Sequence, residues 1–367
     1  LGLLITEGPS SLVTVALDMY DGSTKFSLIA IPMFVLAGAI MNAGGVTRRL
    51  IEFVSALIGA VRGGLAMVSI GVSLFFAEIS GSAVADVAAL GSILIPEMKK
   101  RGYGAPFAAA VTSSSASLAI IIPPSIPMIL YAVSANTSVE QLFVAGFIPG
   151  LMGAIGLMGV SWWFARRYNL PVEEAFNWPR LRHAAIEAGP TFLLPIIILG
   201  GIFGGFVTAT EAAGLAVLAA IGVGIWYREV DFRQLHRAML EGGMQTAVVM
   251  VLVAASVLMG GFLTRAQIPQ ELAAQMVAFT DSKYVILLIL NVFFLIIGFF
   301  LHSAAAIILV VPIVVPLIQQ VGIDPVHFGL VVTLNLAIGQ QTPPVASVLI
   351  TACSIARANI WEVTRVN

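Results

Sequence analysis

The sequence predicts an all-α polytopic membrane protein built from two inverted-topology repeats, each with a re-entrant hairpin and a discontinuous helix. Three observations carry this prediction: composition, a self-match at a fixed offset, and prolines placed inside apolar runs. Of 367 residues, 59% are hydrophobic and 10% charged, with a mean hydropathy of +1.01. That is more apolar surface than a soluble core of this size can hide. A net charge of −1 leaves no basic footprint for nucleic acid. The single cysteine, Cys353, excludes an intramolecular disulfide and a cysteine-rich metal site. Residue 1 is Leu with no charged leader ahead of it, and Asn367 follows a basic stretch, so the chain reads as a piece of a longer protein.

Taken in order, the elements are bounded by charges, prolines and glycines, because a span needs about 20 mostly apolar residues flanked by Lys, Arg and aromatics. Ser27 to Asn42 is a span, and Val46 to Arg62, carrying Arg48, Arg49 and Glu52, reads as an interfacial or connecting helix. Leu65 to Met98 is too long for one crossing and holds Ser80, Gly81, Ser82 and Asp86 at its middle. Unpaired polar groups in hydrocarbon cost several kcal/mol, so a re-entrant hairpin with its tip at Ser80 to Ala83 fits better. Ala105 to Val133 follows, broken by Pro123-Pro124; then come Val139 to Ala165, Glu187 to Phe206, Ala209 to Tyr227 and Gly242 to Leu263. Tyr284 to Ile318 and Val326 to Ile355 close the chain. The resulting division is 1–62, 63–135, 136–283, 284–358 and a stub at 359–367, with a hairpin and a broken helix in both the second and fourth segments. Arg48, Arg49, Arg62, Lys99-Lys100-Arg101, Arg166, Arg167, Arg180, Arg182, Arg228, Arg233, Arg237 and Arg357 mark the cytoplasmic loops, with Lys283 an outer exception.

The first half recurs at an offset of 220 residues: Ile95-Pro96 lies over Val315-Pro316, Gly102 over Gly322, Val111 over Val331 and Pro123-Pro124 over Pro343-Pro344, without a gap. Lys99-Lys100-Arg101 falls over Gln319-Gln320-Val321, so one turn is basic in one copy and uncharged in the other. That fits one copy facing the cytoplasm and one facing out, the inverted arrangement of secondary transporters, whose sites lie where the repeats meet. Proline inside a span removes a donor and clashes with the carbonyl four residues back. Freed carbonyls with small polar side chains suit an alkali cation, while half-helix N-termini favour an anionic group. The polar sets at the breaks are Ser80, Ser82, Asp86, Thr112 to Ser115, Ser117 and Ser125 in the first half. In the second they are His302, Ser303, Asn335, Gly339, Gln340, Gln341 and Thr342. The bland alternative is that serines and threonines in membrane helices pack closely or bond their own backbone. It is weaker for Gln340-Gln341-Thr342, because two carboxamides in an apolar span need partners.

Four motifs then resemble a family: Ser80-Gly81-Ser82-Ala83-Val84-Ala85-Asp86, Ile122-Pro123-Pro124-Ser125-Ile126-Pro127-Met128, Thr208-Ala209-Thr210-Glu211-Ala212-Ala213 and Gly339-Gln340-Gln341-Thr342-Pro343-Pro344-Val345. They are similar to the large membrane subunit of tripartite ATP-independent periplasmic (TRAP) transporters, DctM-like, over essentially the whole chain. The resemblance implies a multi-pass protein of the bacterial inner membrane and sodium-driven import by an elevator movement of the hairpin-bearing segments against a scaffold. It implies a small DctQ-like membrane subunit and a DctP-like periplasmic binding protein that delivers a carboxylate solute such as a C4-dicarboxylate or sialic acid. Na+ would be the coupling ion and no other cofactor is implied.

Carried over residue by residue, the resemblance implies one sodium site at Ser80, Ala119, Ile122 and Pro124, and a second at Gly298, Gly339, Thr342 and Val345. The offset pairs Ala119 with Gly339, Ile122 with Thr342 and Glu78 with Gly298. The first break carries Ala119 where the family commonly has glycine, which restricts its backbone. Substrate would meet Ser82, Ser125, Asn335 or Gln340. Glu211 in Thr-Ala-Thr-Glu reads as a helix cap or a proton-coupling acid, with the cap preferred, and Asp86 equally as a substrate-site acid or a helix-start acid. His302 is expected to make an interhelical hydrogen bond. Trp162, Trp163, Trp226 and Tyr227 read as interface anchors beside arginines. Three other classes remain open: a stand-alone sodium/carboxylate symporter, a channel, and an intramembrane hydrolase. The hydrolase lacks His-Glu-x-x-His, a membrane-embedded aspartate pair and Gly-x-Ser-x-Gly.

Overall fold

The computed structural model describes residues 8, 11–172, 175–280 and 282–367, leaving aside the side chains of 11, 12, 14 and 78–80. Those residues form helices throughout, with one isolated antiparallel bridge between Arg62 and Val172. Seven helical stretches among them are long and apolar enough to cross a bilayer: Phe26–Ala43, Val139–Arg167, Trp178–Phe203, Ala209–Tyr227, Phe232–Arg265, Lys283–Phe300 and Ser303–Gln320. Five shorter apolar helices accompany them, and four of these are the halves of the two broken helices.

The repeat is visible element by element. In the first half, helices Gly64–Ser80 and Ala83–Lys100 make the hairpin, Ala105–Ala116 and the 3-10 turn Ser117–Ile120 approach the break, and Ile126–Ala135 leaves it. In the second, Lys283–Phe300 and Ser303–Gln320 make the hairpin, Pro325–Gly339 approaches the break and Ser347–Ala356 leaves it. The return arms of the two hairpins end alike. Gly102 and Gly322 both have positive φ, and the following residue donates back to the helix, Tyr103 N–H to Met98 O at 3.0 Å and Ile323 N–H to Ile318 O at 2.8 Å. The diprolines Pro123-Pro124 and Pro343-Pro344 both contain a cis bond. Beyond the diproline the match slips by one residue. Ser125 caps the first outgoing half-helix and Ala346 the second, so the second break is one residue longer. The extra length is taken up by Val345, whose N–H donates to Phe299 O at 3.1 Å and ties the break to the hairpin arm.

The two halves interlock. The return arm Ala83–Lys100 packs on the outgoing half-helix of the other repeat, Ser347–Ala356, and Ser303–Gln320 packs correspondingly on Ile126–Ala135. Lys99 Nζ donates to Ala356 O at 2.8 Å and Tyr131 Oη to Pro325 O at 2.7 Å, both across the repeats. Around this unit Ala30–Ala43 packs against Ala209–Tyr227 and the 34-residue helix Phe232–Arg265. The connecting helix Val46–Ile58 is anchored at its start. Arg49 bonds Glu229 at 2.6 Å and stacks on Tyr227 at 3.7 Å, and the bonded guanidinium holds the Glu229 carboxyl below its ordinary value of 4.5. Arg166 and Arg167 lie over Trp162 and Trp163 at 3.9 and 5.2 Å, as membrane-interface pairs do. Glu211 is a cap: it and Thr208 form a complete capping box at the start of Ala209–Tyr227.

Candidate transport site

Each break lies against the hairpin of its own repeat. In the first, Gly81 closes the hairpin at φ +59°, and a Cβ there would come within 3.0 Å of Pro124 O. A side chain is disfavoured both by that tight contact and by the left-handed backbone. Pro123 and Pro124 have no amide N–H, so carbonyls before the break lose their helical donors. The carbonyls affected are those of Ala119 and Ile120; Ile120 O takes the Ser125 hydroxyl at 2.7 Å instead, while Leu118 O keeps Ile122 N–H and also accepts Ile121 N–H. In the second repeat the approach is closer. A Cβ on Gly339 would lie 2.5 Å from Gly298 Cα, so these two glycines place backbone directly on backbone. The Gly339 carbonyl accepts the Thr342 N–H at 2.9 Å and keeps a second lone pair.

A cavity of about 480 Å³ lies between the hairpin tips and the helix Phe232–Arg265. Three helix N-termini border it: Ser82-Ala83, Ile126-Pro127 and His302-Ser303. These begin helices of 18, 10 and 18 residues. Each presents the positive end of its dipole, which favours an anion, while the caps Ser82, Ser125 and His302 take the Ala85, Met128 and Ala304 amides and Pro127 has none. Gln340 also lines the cavity. Its Oε1 accepts the Ser347 hydroxyl at 3.2 Å, while its Nε2 is buried with no acceptor among the described residues. A buried donor left unmet costs about 1–3 kcal/mol, which a ligand oxygen would offset. Met244, Gln245, Val248 and Val249 complete the far wall. Nothing in the sequence distinguished them from other residues of a membrane helix.

Among the residues assigned to substrate, Ser82 and Gln340 line this cavity. Ser125 is fully buried as the cap of Ile126–Ala135, its hydroxyl accepting Met128 N–H at 3.4 Å, one residue behind the cavity wall. Asn335 is placed elsewhere. Its carboxamide donates to Asn291 and to Val331 O at 2.7 Å, bracing the second broken helix on the hairpin arm. For the sodium assignments, Ala119, Ile122 and Pro124 lie together at the first break. Gly298, Gly339, Thr342 and Val345 lie together at the second, with the Thr342 hydroxyl donating to Ile338 O at 3.2 Å. The side chain of Ser80 lies outside the described residues, and its backbone ends the first hairpin arm. His302 departs from the expected interhelical bond: its Nδ1 accepts Ala304 N–H at 3.4 Å, capping its own helix, because the free amides of the helix start are its nearest donors. Asp86, fully buried in the first turn of the return arm, does not line the cavity.

Interlocked repeats with hairpins, broken helices and a shared cavity define a polytopic membrane transporter. The family model described as the tripartite ATP-independent periplasmic transporter DctM component matches residues 1–366. The chain belongs to that family. It is 39% identical over its whole length to the isethionate TRAP transporter permease protein DctMQ of Oleidesulfovibrio alaskensis, spanning 58% of that protein. It is 40% identical to the uncharacterized protein YgiK of Salmonella typhimurium, over 99% of the chain and 84% of that protein. The C4-dicarboxylate TRAP transporter large permease protein DctM of Pseudomonas aeruginosa is 39% identical over 92% of the chain and 79% of its own length. The fold is shared with the YdaH transporter of Alcanivorax borkumensis, with a TM-score of 0.69 at 14% identity over 99% of this chain and 85% of that one. The protein is therefore a transporter rather than an enzyme, a multi-pass component of the bacterial inner membrane. Its family works with a small membrane subunit and a periplasmic binding protein.

Proposed function

We propose that this chain imports a carboxylate-bearing solute, a C4-dicarboxylate, sialic acid or a similar organic acid, coupled to sodium and delivered by a DctP-like periplasmic binding protein. A DctQ-like small subunit supports it in the bilayer. The observation that carries the reading is the convergence of three helix N-termini and the unmet Gln340 Nε2 on one cavity. No lysine or arginine lines it among the described residues, so oriented dipoles and amide donors would hold the anion. The two breaks reach this cavity at Ile120 and Gln340, and their unwound backbone offers carbonyl oxygens, hard ligands of the kind sodium takes, which supports sodium as the coupling ion. Binding sodium beside the solute would offset its negative charge. The interlocked hairpins and broken helices would move as one body along Phe232–Arg265 in an elevator cycle. The names of relatives, an isethionate and a C4-dicarboxylate transporter, agree with an organic anion as cargo.

Uptake in proteoliposomes with and without a sodium gradient, binding protein and small subunit tests the reading. Uptake of a radiolabelled C4-dicarboxylate or sialic acid is expected only when all three are supplied. Uptake driven equally by choline would remove sodium, and uptake by this chain alone would replace the tripartite reading with a stand-alone symporter.

A further inference from the structure

Gln341 has no counterpart in the first repeat. It stands in the second break between Gly339 and Thr342, and at 8% exposure its carboxamide is buried. The side chain leaves its own repeat: Nε2 donates to Ser113 O at 2.9 Å and to the Ser117 hydroxyl. Ser117 is itself held to Ser113 O through its hydroxyl at 3.3 Å. It opens the 3-10 turn Ser117–Ile120, which contains Ala119 and leads into Ile122 and Pro124. Two hydrogen bonds thus join a residue lying between members of the second sodium site to the turn that carries the first. Short backbone bonds on the Gln341 side, Gln341 N–H to Ile338 O at 3.0 Å and Thr342 N–H to Gly339 O at 2.9 Å, leave little slack in the connection.

Repeat symmetry does not account for this link, because the equivalent position in the first half is Ile121, a buried aliphatic. Packing does not account for it either. A leucine would fill similar volume without bringing an amide into an apolar interior, where unbonded polar groups cost several kcal/mol. Gln341 Oε1 is in fact left buried with no donor among the described residues, so the side chain is not placed for its own satisfaction. Its neighbour Gln340 faces the cavity, so the two carboxamides point to different tasks.

We propose that Gln341 is a positioning residue that couples the two sodium sites, so that ordering one break around its ion raises the affinity of the other. The proposal rests on the sodium reading above. An unwound segment loses conformational freedom when its carbonyls close on a cation, and where two segments are tied, the first ion meets part of the ordering cost of the second. Such coupling is reciprocal and typically amounts to about 5–150-fold in affinity.

Equilibrium binding of radioactive sodium to the transporter purified with its membrane partner, at ionic strength fixed with choline chloride, tests it. The wild type is expected to bind with a Hill coefficient of about 1.4–1.8, the value that 5–150-fold coupling of two sites gives. In Gln341→Leu the coefficient should fall to about 1 with the number of ions bound unchanged. Ser117→Ala, a smaller change that removes one acceptor and leaves the glutamine, should give an intermediate value and serves if the leucine variant does not fold. Wild-type cooperativity persisting in both variants, or a non-cooperative wild type, overturns the coupling while leaving sodium binding intact. A wild type that binds no sodium above the choline background overturns the sodium reading itself and this proposal with it.

Discussion

Gly298 and Gly339 meet with no side chain between them, and the contact explains why this position must be glycine in the second repeat when the first has Ala119. A methyl group at 339 would stand 2.5, 2.7 and 3.0 Å from Gly298 Cα, C and O, all backbone atoms that cannot rotate aside. The hairpin arm or the break would have to shift. Gly339→Ala is therefore expected to destabilise the protein by about 1–3 kcal/mol, in the range of overpacked cores. On the proposed sodium coupling it should also raise the sodium concentration for half-maximal uptake, since the break carries the carbonyls proposed to bind the ion. Both a thermal melt in detergent and a sodium titration of uptake report on this. An alanine variant with wild-type values in the two measurements would mean that the contact is looser than described. The family resemblance implied this pairing, and the repeat offset agrees with it, since Glu78 and Ala119 stand at the equivalent positions. The closeness of approach was not legible, since it depends on how a hairpin docks and no local pattern records that.

At the scale of elements, what could be read beforehand was whatever is encoded locally. The hairpin turn at Gly81-Ser82, the capping box of Thr208 and Glu211, and the breaks at the diprolines follow from residues within one or two turns of each other. What could not be read joins distant elements. The resemblance offers Asn335 or Gln340 to substrate, and the bond from Asn335 to Asn291, on a helix with no motif, is visible only in the structure. The cavity wall from Met244 to Val249 belongs to a helix whose hydropathy resembles that of any lipid-facing span. The tie between the connecting helix and the loop after Ala209–Tyr227 is of the same kind, and it has a pH signature. Glu229 is held below its ordinary carboxylate value chiefly by its hydrogen bond from Arg49, whose own value is raised. A depressed carboxylate contributes stability above its unfolded value of 4.5 and loses it as pH falls through the lower folded value. The melting-temperature difference between wild type and Glu229→Gln should thus be constant from neutral pH down to about 5 and shrink below that. Its size should correspond to about 1 kcal/mol or less, because Glu229 is a third exposed. A difference that grows on acidification would assign the effect to another group.

For the whole molecule, the interlocked packing of each hairpin on the other repeat's half-helix makes the two copies one body, and the charges of equivalent turns assign them opposite sides of the membrane. Lys100 and Gln320 occupy the same structural place, the last residue of a return arm, and both are exposed. In the first copy the turn is Lys99-Lys100-Arg101 and in the second Gln319-Gln320-Val321. Basic residues are retained on the cytoplasmic side, so an inverted pair requires Lys100 inside and Gln320 outside. Single cysteines at these positions separate the possibilities cleanly, because the native Cys353 is buried and can first be replaced by alanine. With a membrane-impermeant maleimide applied to spheroplasts, Gln320→Cys is expected to react at once and Lys100→Cys only after the membrane is opened. Labelling of both from one side would mean that the copies run parallel. The two breaks would then no longer approach the bilayer midplane from opposite faces, and the proposed pairing of sodium sites would lose its geometric basis.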